Sequence, residues 1–168
     1  MRLVWIALTC LFSMASAANV PLTKALGNGP PIPAAPKLQA SGYLLVDATN
    51  GEILVEHNAE EPLPPASLTK MMTAYIAERE ITEGRMSFDD QVPVSVKAWK
   101  TGGSRMFIRE GTEVRLEDLL RGIIIQSGND ASVAVAEYIA GSEDVFADVM
   151  NQTAISLGMT NTQFKNAT

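Results

Sequence analysis

The stretch Pro64-Pro65-Ala66-Ser67-Leu68-Thr69-Lys70-Met71-Met72-Thr73-Ala74-Tyr75-Ile76 decides how this chain is read. The prolines hold a loop that must end before a helix can start. Beyond them Leu68, Met71, Met72, Tyr75 and Ile76 recur at helical spacing, which predicts a helix over Ser67–Glu80. Three residues apart on a helix, Ser67 and Lys70 share one face and come within reach of each other. A serine hydroxyl is a poor nucleophile until a base takes its proton. A lysine amine can be that base once burial or nearby positive charge, including the positive end of a helix, lowers its pKa. The competing reading makes Ser67 a helix cap and Lys70 a solvated first-turn residue. A capping box would place Glu or Gln at position 70. A cation there instead costs about 0.3–1 kcal/mol against the helix dipole.

Toward the C-terminus, apolar periodicity predicts three more helices: Leu116–Gln126, Asp130–Ala140 and Ser142–Leu157. Ser142 suits an N-cap, with Glu143 and Asp144 in the first turn and Gly158 as a stop. Between the first two of these helices lies Ser127-Gly128-Asn129. A hydroxyl, a flexible glycine and a carboxamide on a tight turn can relay a proton and hold a substrate amide. The competing reading takes Asn129-Asp130 as a routine helix cap. The chain lacks a G-x-S-x-G elbow, a Walker loop, a G-x-G-x-x-G loop and any His or Cys pair at metal-ligand spacing. Its single histidine, His57, reads as an ordinary surface or edge residue ending a strand, so a Ser-His-Asp triad has little support. The matches to the glycosylation sequon at Asn151 and Asn166 are what chance supplies.

Toward the N-terminus, Tyr43–Val46 and Ile53–Val55 are short β-prone runs about Asn50-Gly51, a strong hairpin signal. Their nearly continuous apolar character predicts a hairpin buried on both faces, with a helical layer packed against it. Residues 18–40 read as an arm, with five of the nine prolines between Pro21 and Pro36. Residues 1–17 have the layout of a secretory signal peptide: basic Arg2, the apolar run Leu3–Phe12 and the small-residue end Ala15-Ser16-Ala17. Its removal would take away Cys10, the only cysteine. The full chain has 168 residues, a net charge of −6 and a pI near 4.8, which gives no general electrostatic reason to bind nucleic acid.

Three phrases together carry a family likeness: Tyr43-Leu-Leu-Val-Asp-Ala-Thr-Asn-Gly-Glu-Ile-Leu54, Pro65-Ala-Ser-Leu-Thr-Lys-Met-Met-Thr73 and Leu120-Arg-Gly-Ile-Ile-Ile-Gln-Ser-Gly-Asn-Asp-Ala131. Over residues 42–168 the chain resembles the bacterial serine-type D-Ala-D-Ala carboxypeptidases, the low-molecular-mass penicillin-binding proteins. The resemblance implies a mixed α/β, β-lactamase/transpeptidase-like fold, with residues 41–168 as the first part of the peptidase domain. It implies Ser67 as the acyl-forming nucleophile, Lys70 as its general base, Ser127 as a proton relay and Asn129 as a holder of the substrate backbone. The implied partners are a peptidoglycan stem peptide ending in D-Ala-D-Ala and β-lactam antibiotics, with no cofactor or metal. The implied location is the periplasm, associated with the inner membrane through a C-terminal anchor.

The family's third motif, K-T-G, is expected beyond Thr168, as are the remaining strands, a β-rich second domain and the anchor. A chain ending at 168 is therefore expected to be a fragment that reacts poorly. The string Lys100-Thr101-Gly102 precedes S-x-N and is read as a coincidence. A serine β-lactamase shares both motifs and is the enzymatic alternative. A non-catalytic peptidoglycan-binding envelope protein is the alternative of another class.

Overall fold

The computed structural model describes residues 35–168. The expected signal peptide and most of the proline-rich arm lie outside the described residues.

From Ala40 onward the chain builds one unit around a single helix. The strands β1 (Tyr43–Val46) and β2 (Ile53–His57) pair antiparallel, Tyr43 opposite His57, with a register shift at Leu45/Val46. Gly51 takes a φ of +77° in the turn, the conformation the Asn-Gly signal anticipates. A 3₁₀ turn at Ala66–Leu68 leads into α1 (Thr69–Thr82). Next come β3 (Gln91–Pro93), α2 (Val96–Lys100) and β4 (Glu113–Arg115), where β3 and β4 pair antiparallel as a second two-stranded sheet. Then follow α3 (Leu116–Gln126), α4 (Asn129–Ala140) and α5 (Glu143–Ser156). This is a mixed α/β arrangement, as expected.

The four long helices fall where periodicity puts them. Ser142 caps α5 by accepting a hydrogen bond from the Val145 N–H at 3.2 Å, and Gly158 follows the helix with φ +78°. Three elements of the middle region, β3, β4 and α2, have no counterpart in the sequence reading. They are only three to five residues long, too short to establish a period.

Helix α4 occupies the centre. Asp130 through Ala136 are all buried, and α1, α2, α3 and α5 pack on it. Its alternation of small and β-branched residues (Ala131, Ser132, Val133, Ala134, Val135, Ala136) leaves no polar stripe, the mark of a helix surrounded by others. One cluster joins it to Leu116, Leu119 and Ile123 of α3 and to Val92 and Val94. A second joins Ala136 to Met72 and Ile76 of α1, Phe146 and Met150 of α5, and Phe164. The sequon residue Asn151 is internal to this packing: its side chain both accepts from the Phe164 N–H (2.7 Å) and donates to the Phe164 carbonyl (2.9 Å).

The hairpin corrects its expectation. Leu44, Leu45, Ile53 and Leu54 are each 53–55% exposed, and Val46 is exposed as well. Among the described residues the sheet has only these two strands, and no third strand continues it. The helical layer packs on itself around α4 and leaves the hairpin faces uncovered.

Candidate active site

Ser67 and Lys70 stand where the loop of prolines becomes helix. Ala66 takes φ +48°, a left-handed conformation that costs a non-glycine residue about 1–2 kcal/mol. The chain then tightens into the 3₁₀ turn and enters α1. Ser67 is exposed, while Lys70, two residues into α1, is buried at 5% exposure. Lys70 Nζ lies 3.2 Å from Ser67 Oγ. Neither the turn nor α1 has a side-chain cap at its N-terminus, and no acidic residue sits in the first turn of α1. The structure thus rejects the capping alternative on both counts: Ser67 does not cap, and Lys70 is not solvated. Burial pushes the Lys70 amine below the ordinary lysine range, because desolvation penalises the charged form.

Ser127 closes α3 in a left-handed conformation, φ +52°. The sequence reading assigned that freedom to Gly128, whose φ is −64°. Gly128 is needed for space instead: a Cβ there would lie 3.1 Å from Asp130 Oδ1 and 3.3 Å from the Gly122 carbonyl. A cleft of about 290 Å³ is lined by Ser67, Lys70, Met71, Ala74, Ile123, Ile124 and Ser127. The structure thus brings three of the four sequence-nominated residues to one wall. Asn129 is not on that wall. Its carboxamide donates to the Gly102 carbonyl at 2.8 Å, and its backbone N–H donates to the Ser104 carbonyl at 2.7 Å. A larger groove of about 880 Å³ between residues 59–65, α1 and residues 157–164 contains neither Ser67 nor Lys70. Its size does not make it the chemical site.

The segment holding Asn129 was missed in the sequence. Lys100-Thr101-Gly102 is not on a strand: Lys100 ends α2, its Nζ 5.9 Å from the Trp99 ring centre, and Thr101 is the C-cap. Yet its Gly102 carbonyl is the partner of the Asn129 carboxamide. The following residues are clasped by Asp130, a carboxylate only 1% exposed. Its Oδ1 accepts from the N–H groups of Met106 (3.0 Å) and Ala131 (2.9 Å), and its Oδ2 from Phe107 (2.8 Å) and Ile108 (3.2 Å). The only available signal was an acid beside S-x-N, which equally fits a helix cap.

Strain gathers here. Among the described residues four non-glycines have positive φ, and three of them, Ala66, Phe107 and Ser127, flank or belong to this region. Such outliers persist where the surroundings over-determine them, a frequent property of functional sites. His57 is elsewhere in role: it ends β2 with its ring 5.4 Å from that of Tyr43. Among the described residues no group of three or more His, Cys, Asp or Glu could hold a metal ion.

Comparison with known proteins places the chain in a family. A family model described as D-alanyl-D-alanine carboxypeptidase matches residues 30–168. The chain is 44% identical over 137 residues to the D-alanyl-D-alanine carboxypeptidase DacC of Escherichia coli, covering 78% of this chain and 34% of that protein. It is 42% identical over 130 residues to DacF of Bacillus subtilis, covering 77% of this chain and 33% of that protein. It therefore spans about a third of the length of these relatives. Among solved structures, the D-alanyl-D-alanine carboxypeptidase DacD from Francisella tularensis superposes with a TM-score of 0.77 at 44% identity, covering 81% of this chain and 33% of that one. Penicillin binding protein 6B from Escherichia coli gives 0.74 at 42% identity, covering 80% and 44%. The fold is that of these penicillin-binding relatives, and the chain belongs to the D-alanyl-D-alanine carboxypeptidase family.

Proposed function

We propose that the protein is a serine D-Ala-D-Ala carboxypeptidase, exported to the cell envelope, that removes the terminal D-alanine from peptidoglycan stem pentapeptides. The observation that carries this reading is the pairing of an exposed serine with a buried lysine amine at 3.2 Å, with no carboxylate among the described residues bonded to that amine. An ammonium held by a carboxylate would be a poor base. A desolvated amine that readily gives up its proton is a good one.

In this reading neutral Lys70 Nζ takes the Ser67 proton as Oγ attacks the carbonyl carbon of the penultimate D-alanine. The tetrahedral adduct collapses by breaking the C–N bond, and the Ser127 hydroxyl passes its proton to the departing amine while taking the one held by Lys70, which is left neutral. D-Alanine leaves, and the remaining peptide is esterified to Ser67. Water then attacks the ester as Lys70 accepts its proton, and Lys70 returns that proton to Ser67 Oγ as the ester C–O bond breaks and the acid product is released. Asn129 holds the backbone of the bound peptide. Penicillins acylate the same oxygen, a role consistent with a relative solved in an ampicillin-bound form, penicillin-binding protein D2 from Listeria monocytogenes (28% identity, TM-score 0.69, 79% of this chain and 54% of that one). Export to the periplasm belongs to the same proposal, supported by the leader-like layout of residues 1–17; association with the inner membrane is proposed on the family resemblance.

The test is covalent labelling with a fluorescent penicillin. The full-length protein should retain label for minutes, and Ser67→Ala should retain none. Rapid turnover of the drug would assign a β-lactamase instead. A folded protein that takes no label would leave only a binding role.

A further inference from the structure

We propose that Asp130 is a positioning residue for the acylation step, acting through Asn129 by clamping the Gly102–Ile108 segment across the start of α4. The inference rests on the carboxypeptidase reading above.

Asp130 has no visible task in the chemistry. It lines neither cavity, and no cationic side chain pairs with it among the described residues. A buried carboxylate without a cation is costly unless hydrogen bonds to its charged form replace water. Asp130 receives four, all from backbone N–H groups, and three come from the consecutive residues Met106, Phe107 and Ile108. Aiming three successive N–H groups at one carboxylate requires a sharp turn of the chain, and Phe107 takes φ +64° there. Such a concave run of amides is an anion nest, and here the anion is supplied by the protein itself.

The bonds on the other side of the same junction run through Asn129. Its N–H reaches Ser104 and its carboxamide reaches Gly102. Adjacent residues of α4 thus grip one segment at both ends: Asn129 by donating to its first half, Asp130 by accepting from its second. A carboxamide that must turn to meet a peptide backbone needs a fixed partner, and the Gly102 carbonyl is fixed only as long as the segment is. Gly128 shares this support, because it fits tightly between Asp130 and Gly122: a Cβ there would lie 3.1 Å from Asp130 Oδ1 and 3.3 Å from the Gly122 carbonyl.

Replacing one Asp130 oxygen by an amide group turns an acceptor into a donor facing N–H groups. The segment should loosen while the core around Val133 and Val135 remains. The experiment measures acylation of the full-length protein by a fluorescent penicillin against drug concentration, well below the melting midpoint, for wild type, Asp130→Asn, Asn129→Ala and the double variant. Asp130→Asn is expected to lower the limiting acylation rate ~10–100-fold, the scale of a roughly 1 Å misplacement. Its loss should not multiply with that of Asn129→Ala: the double variant should match the slower single within about 2-fold. A purely structural aspartate would lower the melting temperature and leave the rate of the folded protein unchanged. Wild-type acylation by Asp130→Asn, or losses that multiply, overturns the proposal while the carboxypeptidase reading stands. A wild-type protein that takes no label removes both. If Asp130→Asn does not fold, Asp130→Glu keeps the charge and displaces it by one methylene, and the same outcomes decide.

Discussion

Helix α4 and the β1–β2 hairpin are both rich in apolar side chains. In α4 Val133, Ala134, Val135 and Ala136 are at most 1% exposed, whereas in the hairpin Leu44, Leu45, Ile53 and Leu54 keep more than half their surface. The difference is the number of partners. Four helices surround α4, so each side chain meets another layer. Among the described residues the hairpin has no third strand beside it and no helical layer over its faces. An apolar run records a capacity for burial, and only a second layer realises it. Helix α1 shows both outcomes on one element: Met72 and Ile76 are buried toward α4 and α5, while Met71 and Tyr75 are exposed. The Ser67–Lys70 pair sits at this border, with the base on the buried side and the nucleophile on the open side.

The largest expected effect probes that border. Lys70→Met keeps the stem and deletes the amine, so acylation of Ser67 by a penicillin should fall ~10²–10⁴-fold, as loss of a general base does. An unchanged rate in stopped-flow labelling would mean that the buried amine does no chemistry. Next come paired truncations. Leu119→Ala, in the fully buried cluster around α4, should cost about 2–5 kcal/mol in denaturant unfolding. Leu45→Ala should cost less than about 1 kcal/mol, since surface substitutions seldom cost more. Equal losses would break the comparison and show that the hairpin is covered in solution.

A smaller effect tests the junction at the α4 start. Gly103 has φ +83°, and a Cβ there would lie 2.5 Å from Asn129 Nδ2. Gly103→Ala should therefore displace the carboxamide, at a stability cost of about 1–2 kcal/mol for the left-handed backbone. Its acylation should slow several-fold with no change in the pH dependence.

The smallest effect is in proton linkage. The folded Lys70 has a pKa below that of an ordinary lysine, so between those values the unfolded chain binds the extra proton. Stability must then rise with pH through that window, since the desolvation penalty on the charged amine disappears as it deprotonates. Unfolding curves across the window should show this slope in wild type and a shallower one in Lys70→Met. The acylation rate should climb over the same range, with a midpoint below the ordinary lysine value.

The helices were legible because each spans several turns, and the Asn50-Gly51 hairpin because its turn chemistry is local. Ser67 and Lys70 were legible for a similar reason: three positions on one helix fix a distance without tertiary knowledge. Sequence alone also supplied the family likeness, because the phrases around each motif are contiguous. Four things required the folded chain. The burial of Lys70 depends on the packing of α1 among the other helices. The meeting of Ser67 with Ser127 spans 60 positions and follows from α3 packing beside α1. Gly128 proved to be a matter of space rather than conformation. Asp130 proved to be a clamp rather than a cap, since three of its four partners lie more than 20 residues back along the chain. Local geometry propagates along a chain by covalent bonds and can be read from spacing. Desolvation and hydrogen bonds between distant residues exist only once the layers have closed, and they are what make this serine and this lysine a pair.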